Sequence, residues 1–379
     1  MKVTMEKRDL SSLTTLVYRA ASTKNTIPVL AGLLIETSSD KGLVMTATDM
    51  EIGIKASSTS VEIIEPGSVL VNAHYFADFI KLLPDGPVTL ELNKDKAKLN
   101  ITYGRSSGSI NTYRDYEYPD LPLEKMQAKM SISQKILKEA LRKTSLAAAV
   151  THFRQVFTGV LFDIIDSNTL KVVASDTHRL ACFSHTLDGV ETEPFRFIIP
   201  TRSVNELLRI LDDNDELINI AFSENNVIFA KDSFIILSRL IEGQYPNYDQ
   251  VIPSTFNTSF KVNTAVLAET LERARTMPTD DKLKIQYVRF NINENEILVN
   301  AYSEMMGEIE EVIENITLNG DTDVQIAFNT NYFLDVIKIF TSECEEIQIQ
   351  LSGALGPALI QNPKKDNYLY VLVPLRTNN

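Results

Sequence analysis

The 379-residue sequence predicts an α+β protein of three similar domains, each holding two helices and about eight strands. Three observations predict it: a strand-rich segment that recurs three times, a helix-bearing segment that follows each copy, and Tyr-Pro joints at the same interval. Length and composition agree. The chain suffices for two or three ordinary domains, and 44% hydrophobic with 23% charged residues is the balance of a folded chain.

The strand-rich segment reads GLLIETSSDKGLVMTATDMEIGIKAS from Gly32, TGVLFDIIDSNTLKVVASDTHRLACFSH from Thr158 and YVRFNINENEILVNAYSEMMGEIEEV from Tyr287. Each copy runs apolar alternation, polar turn, second apolar run, polar corner and third run, which is a strand meander. Ala47, Ala174 and Ala301 hold the same place in each, 127 residues apart both times. The second segment begins VNAHYFADFIKLL at Val71, IPTRSVNELLRIL at Ile199 and FNTNYFLDVIKIF at Phe328. A small polar residue able to cap a helix (Asn72, Thr201, Asn329) opens each, and apolar positions at helical spacing follow. A further amphipathic helix precedes each meander, around 10–21, 134–150 and 264–277. Tyr118-Pro119 and Tyr245-Pro246 mark the joints, where proline denies a sheet its donor, and the third domain ends at VLVPLRTNN. The predicted domains are 1–125, 126–253 and 254–379.

The net charge of −13 hides a separation of sign. The predicted helical segments 6–24, 72–83, 133–154, 200–211, 263–275 and 329–340 carry +7 together, so the remainder carries −20. A face built from those helices suits a partner of dense negative charge. No helix-turn-helix, zinc finger or RNA-reading aromatic motif occurs, so contacts to nucleic acid are expected at phosphates and without sequence selection.

Other classes of function find little support. MKVTMEKRDL mixes charges into the first ten residues and no run approaches 18 apolar residues, which predicts a cytoplasmic protein. Cys182 and Cys344 form no CxxC pair, and His152 and His185 have no ligand spacing, so neither metal nor disulfide is expected. No phosphate-binding loop occurs and no cofactor is expected. ASDTHRLACF at 174–183 gathers Asp176, His178 and Arg179, the pattern a hydrolase would need. Yet Asp49 and Ser303 occupy the same corner in the other repeats, so Asp176 reads as a turn residue. His178, Arg179 and Leu180 have no counterparts of like chemistry and belong to the middle domain alone.

TIPVLAGLLIE (26–36), MTATDMEIGI (45–54), ASDTHRL, EGQYPNYDQVIP (242–253), FNTNYFLDVI (328–337) and YLYVLVPLR (368–376), with the threefold repeat, resemble the bacterial DNA polymerase III beta subunit family, the sliding clamps. The resemblance covers essentially the whole chain. It implies the DNA clamp fold, closed by a head-to-tail homodimer into a ring of six domains with helices inside and sheets outside. The implied function is non-catalytic: the ring encircles duplex DNA without sequence specificity and tethers the replicative polymerase for processivity. Implied DNA contacts are Lys24, Arg105, Thr151, Arg154 and Arg202; His74 stands where relatives often have arginine.

The implied dimer joint sets Gly104, Ser106, Gly108 and Ile110 of one subunit against Arg273, Thr276 and Met277 of the other. The implied pocket for partner tails of the Gln-Leu-x-Leu-Phe type, carried by polymerase, clamp loader and other proteins, comprises Phe157, Ser175, Thr177, His178, Arg179, Leu180, Pro246, Val251, Asn329, Tyr332, Leu355, Pro357, Leu372, Val373, Pro374, Leu375 and Arg376. Thr177 replaces a common glycine, Gln250 an arginine of some members, and Thr377, Asn378 and Asn379 extend the tail. The alternatives are a hydrolase using Asp176 and His178, or a repeat scaffold that binds only proteins.

Overall fold

The computed structural model describes residues 1–23, 27–114, 116–123, 127–165, 168–187, 194–223, 225–278 and 285–376. Its α-helices fall two to a repeat: α1 (Lys7–Val17) and α2 (Ala73–Leu82), α3 (Gln134–Thr144) and α4 (Thr201–Ile210), α5 (Thr264–Ala274) and α6 (Thr330–Thr341). The helices expected over 10–21 and 134–150 stop sooner. Each tightens into a 3₁₀ turn, Tyr18–Ala20 and Ser145–Ala147, before the backbone becomes extended at Ala21 and Ala148. Asn72 and Asn329 cap as expected, their side-chain oxygens accepting amides of Tyr75 and of Asn331 and Tyr332. Thr201 does not cap; it is the first helical residue, and its hydroxyl donates to the Thr158 carbonyl.

The chain packs as two compact units that divide the middle repeat: residues 1–138 with 202–240, and residues 139–201 with 241–379. Shared sheets cause the division. In the first unit an eight-stranded sheet sets Phe234–Arg239, last strand of repeat two, antiparallel beside Ile52–Ser58, third meander strand of repeat one. In the second, a nine-stranded sheet sets Tyr368–Leu372, last strand of repeat three, beside Arg179–Thr186, third meander strand of repeat two. The register is the same, because Leu237 faces Gly53 and Val371 faces Leu180, and those two partners lie 127 residues apart.

Two strands of these types lack such a mate among the described residues. Ser106–Asn111 ends the five-stranded sheet of the first unit, and Gly307–Glu314 ends the four-stranded sheet of the second. Apolar faces of the sheets are covered by helices: Phe76 and Ile80 of α2 are fully buried, as are Phe333 and Phe340 of α6, each side chain contributing about 2–3 kcal/mol. Phe333 meets Phe328 and Phe290 edge-on at 5.3 and 5.5 Å.

Candidate functional site

Asp176 belongs to a corner built twice. Its Oδ1 accepts the amides of His178 and Arg179 at 2.9 and 3.0 Å, and the Ser175 hydroxyl donates to the Arg179 carbonyl. Asp49 accepts the amides of Glu51 and Ile52 at 3.0 and 2.9 Å, and the Thr48 hydroxyl donates to the Ile52 carbonyl. Both turns require a left-handed residue, Met50 at φ 76° and Thr177 at φ 75°. The third corner is built otherwise: Ser303 is already in its strand opposite Gly307, one residue fewer is spanned, and Gly307 takes the positive φ of 104°. Ser303 is therefore not the equal of Asp49 and Asp176, although it holds their place in the sequence.

The middle corner differs from the first by an arginine. Asp176 Oδ2 accepts Arg179 Nε at 3.0 Å, Asp335 of α6 accepts its NH1 at 2.8 Å, and the guanidinium lies 3.9 Å from the centre of the Tyr332 ring. Burial works against the charge, but Tyr370 and the two carboxylates outweigh it and raise the Arg179 pKa above the ordinary arginine value. Both Asp176 oxygens are thus occupied in holding backbone and arginine, which removes the free base that hydrolysis would need.

Beside the corner lies a cavity of about 170 Å³ lined by Phe157, Ser175, Thr177, Arg179, Leu180, Tyr245, Pro246, Asn247, Tyr248, Val251, Val371 and Val373. An apolar lining with a few polar groups suits an extended apolar side chain of a ligand. A core of Leu161, Val173, Cys182, Ile198 and Leu359 supports it. Cys182 is packing, for burial pushes its thiol up to about 11. Tyr245 is 6% exposed, its hydroxyl lies toward the Ser175 backbone, and burial raises its phenol above the ordinary value. Its counterpart Tyr118 accepts the Thr48 amide and donates to the Gly32 carbonyl, and burial raises its phenol to about 12.

Eight of the expected pocket residues line this cavity: Phe157, Ser175, Thr177, Arg179, Leu180, Pro246, Val251 and Val373. The others lie outside it for visible reasons. Asn329 spends its carboxamide on capping α6, Tyr332 lies against Arg179, and Leu372 is fully buried in its strand. The His178 carbonyl and the Val373 amide bond to each other, and the Leu375 amide is tied to Ala327. Leu355 is exposed, Pro357, Pro374 and Leu375 half-buried, and Arg376 exposed. Sequence reasoning missed Tyr245, Asn247, Tyr248 and Val371. Tyr248 was findable, since its counterpart 127 residues earlier is Leu121, a difference of the kind that singled out Arg179.

Of the expected DNA contacts, Lys24 lies outside the described residues. Arg105, Thr151 and Arg154 are exposed, and Arg202 pairs with Asp49. His74 stacks edge-on to Tyr18 at 5.4 Å in a cleft shared with Arg19 and Arg202. Positive charge on the helices is smaller at the surface than the residue count suggests. Lys143 is 1% exposed and bonded to Glu139 and Glu343 at 2.6 and 2.9 Å, Lys138 is tied to the Leu211 carbonyl, and Arg209 pairs with Glu206. At the expected joint, Gly104 forms the hairpin turn at φ 54°, Ile110 is buried, and Ser106 and Gly108 follow the strand. Arg273 is held by Glu311 through two bonds of 2.6 and 2.7 Å, and the Thr276 hydroxyl donates to the Arg273 carbonyl. Met277 is half-buried beside them in sequence. Among the described residues no three His, Cys, Asp or Glu side chains are placed to hold a metal ion, and no helix is long and apolar enough to cross a membrane.

A threefold repeat whose domains join by sheet continuation, with an apolar pocket beside a corner whose aspartate is committed to a turn, is the build of a clamp-type binding protein. Family profiles for the DNA polymerase III beta subunit match the chain three times: the N-terminal domain over 1–122, the central domain over 131–247 and the C-terminal domain over 249–376. A beta sliding clamp of Halalkalibacterium halodurans is 32% identical over 371 residues, covering 95% of this chain and 96% of its own. The solved sliding clamp of Bacillus subtilis is 30% identical with a TM-score of 0.92, both chains covered in full. A sliding clamp from Pseudomonas aeruginosa, solved bound to griselimycin, is 25% identical with a TM-score of 0.90, again over the whole of both chains. The chain belongs to the DNA polymerase III beta subunit family, the sliding clamps, whose members are the non-catalytic processivity subunit of DNA polymerase III.

Proposed function

We propose that two copies of this chain close head to tail into a ring around duplex DNA in the cytoplasm and tether the replicative polymerase to it. The observation that carries the reading is the repeated joint. Last strands of repeats two and three already pair with the third meander strand of the repeat before, in one register, and among the described residues Ser106–Asn111 and Gly307–Glu314 are the strands of these two kinds left without such a mate. The latter edge bears Glu308, Glu310, Glu311 and Glu314, so two such edges repel one another, and the uncharged Ser-Gly edge is the mate they allow.

The register follows from the internal joints. Ala47 faces Ile54 and Ala301 faces Ile309, which makes Ile309 the counterpart of Ile54. Tyr103 faces Ser106 as Lys231 faces Phe234, which makes Gly108 the counterpart of Ile236, the residue opposite Ile54. In the ring Gly108 of one copy therefore faces Ile309 of the other, and Ser107 faces Glu310. Gly108 is also set by its own domain, where a Cβ would come within 2.9 Å of the Phe79 ring.

In this reading domains 1–125, 126–253 and 254–379 each form a sixth of the ring. Lys24, Arg105, Thr151, Arg154 and Arg202 meet phosphates, and Gly104, Ser106, Gly108, Ile110, Arg273, Thr276 and Met277 belong to the joint. The cavity by Arg179 receives apolar side chains of partner tails, with the segments around Leu355 and Arg376 as its outer rim. The griselimycin-bound relative supports a ligand pocket in this fold. Cysteines placed by Ser107→Cys and Glu310→Cys should cross-link two copies under mild oxidation and yield a covalently closed dimer. Off-register Ser107→Cys with Glu308→Cys should not; equal cross-linking of both pairs, or a monomer by sedimentation, contradicts the ring.

A further inference from the structure

Asp163 is a carboxylate buried to 1% exposure on the strand Gly159–Ile165, and neither packing nor the pocket lining accounts for it. Isolated buried charge is costly, so its partners state its purpose. Oδ1 accepts Arg196 Nε at 2.7 Å, and Oδ2 accepts the Tyr248 hydroxyl at 2.7 Å. Burial first, and then the bond to this carboxylate, raise the Tyr248 phenol above its ordinary range, while the same carboxylate raises the Arg196 pKa. Tyr248 opens the 3₁₀ turn Tyr248–Val251, and its ring is both a wall of the cavity and part of the core beneath. The next residue is tied as well: Lys171 Nζ bonds Asp249 at 3.2 Å and lies 5.5 Å from the Tyr248 ring centre.

The first domain supplies a natural control. Its counterparts of Asp163 and Tyr248 are Glu36 and Leu121, which cannot form this bond. There the segment after Tyr118-Pro119 stands off the sheet over a cleft of about 670 Å³, lined by Glu36 and Leu121 themselves together with Lys55 and Asp120. Where the carboxylate–tyrosine bond exists, the Tyr248 side chain is tied down to the sheet, and the segment borders a small apolar cavity of about 170 Å³.

We propose that Asp163 is a positioning residue for peptide docking: through the Tyr248 hydroxyl it fixes the 245–251 wall of the pocket at the spacing an apolar peptide side chain needs. This rests on the cavity being the peptide site. Asp163 touches no ligand; it acts by holding Tyr248, and Arg196, 57% exposed, keeps the carboxylate aimed. The exchange is one of order for affinity, since a wall fixed before binding spares the cost of ordering it on binding.

The test is the affinity of a fluorescein-labelled peptide ending Gln-Leu-x-Leu-Phe for the full-length protein, with melting temperature and dimer state measured alongside. Tyr248→Phe keeps the ring and removes only the bond, and should weaken the peptide about tenfold with the dimer intact. The double variant Asp163→Leu with Tyr248→Phe leaves no orphaned charge, so its melting temperature should recover while the affinity stays weak; a purely structural role would restore both. Val373→Asp separates the two claims. If it abolishes binding while Tyr248→Phe stays within about twofold of the parent, the positioning role is overturned and the pocket stands. If Val373→Asp itself changes nothing, the pocket reading has failed.

Discussion

The two Tyr-Pro linkers share a corner and a spacing, yet one roofs a wide cleft with charged lining and the other a small apolar pocket. Thr48 with Asp49 and Ser175 with Asp176 make the same turn bonds, and Met50 and Thr177 take the same left-handed backbone. The repeat therefore supplies the corner and not the site. What makes the site are substitutions on that common frame: Arg179 for Ile52, Leu180 for Gly53, Tyr248 for Leu121 and Asp163 for Glu36, with Val371 and Val373 supplied by the strand and tail of the third repeat.

The two corners differ most at Arg179, which the first corner does without. Arg179→Ala strips Asp176 and Asp335 of their partner, and chemical denaturation should show a loss of about 3 kcal/mol. A loss within about 0.5 kcal/mol would mean that the arginine is not integral to the corner. Next comes the pocket itself. Val373→Asp should weaken a tail peptide about fiftyfold or more, whereas Leu121→Asp under the other linker should leave its affinity unchanged, both read by fluorescence anisotropy.

The paired tyrosines differ more modestly. Tyr118→Phe removes two bonds and should cost about 1 kcal/mol, while Tyr245→Phe, which has only a weak contact with the Ser175 backbone to lose, should cost less. A pH series checks the former. The folded phenol of Tyr118 titrates near 12 against 10 when unfolded, so its neutral form favours the native state below pH 10, and that contribution is lost as pH rises toward 12. Tyr118→Phe should flatten that alkaline slope. Smallest is the strained turn: Thr177→Gly and Met50→Gly should each gain about 0.5–1 kcal/mol, by relief of a left-handed φ.

Repeat, helix count and linkers were legible because they rest on local pattern: Ala47, Ala174 and Ala301 at one interval, caps before apolar runs, proline after tyrosine. Asp176 was legible as a turn residue for the same reason, since its partners are two and three positions away. Partners remote in sequence leave no such mark. Arg179 meets Asp335 across 156 residues and Asp163 meets Tyr248 across 85, so neither pair could be read. Lys143 was counted as helix surface charge because nothing nearby says that Glu343 waits to bury it. Ser303 looked like a third copy of the corner because a one-residue change in turn length is invisible until the strands are paired.

Enclosure of DNA by a closed ring makes one demand that binding by contact does not. After loading onto nicked circular duplex, the protein should co-elute with the DNA through a sizing column at a salt concentration that defeats phosphate contacts. A single cut that linearises the circle should then release it. Protein retained equally on circle and linear product would contradict the ring.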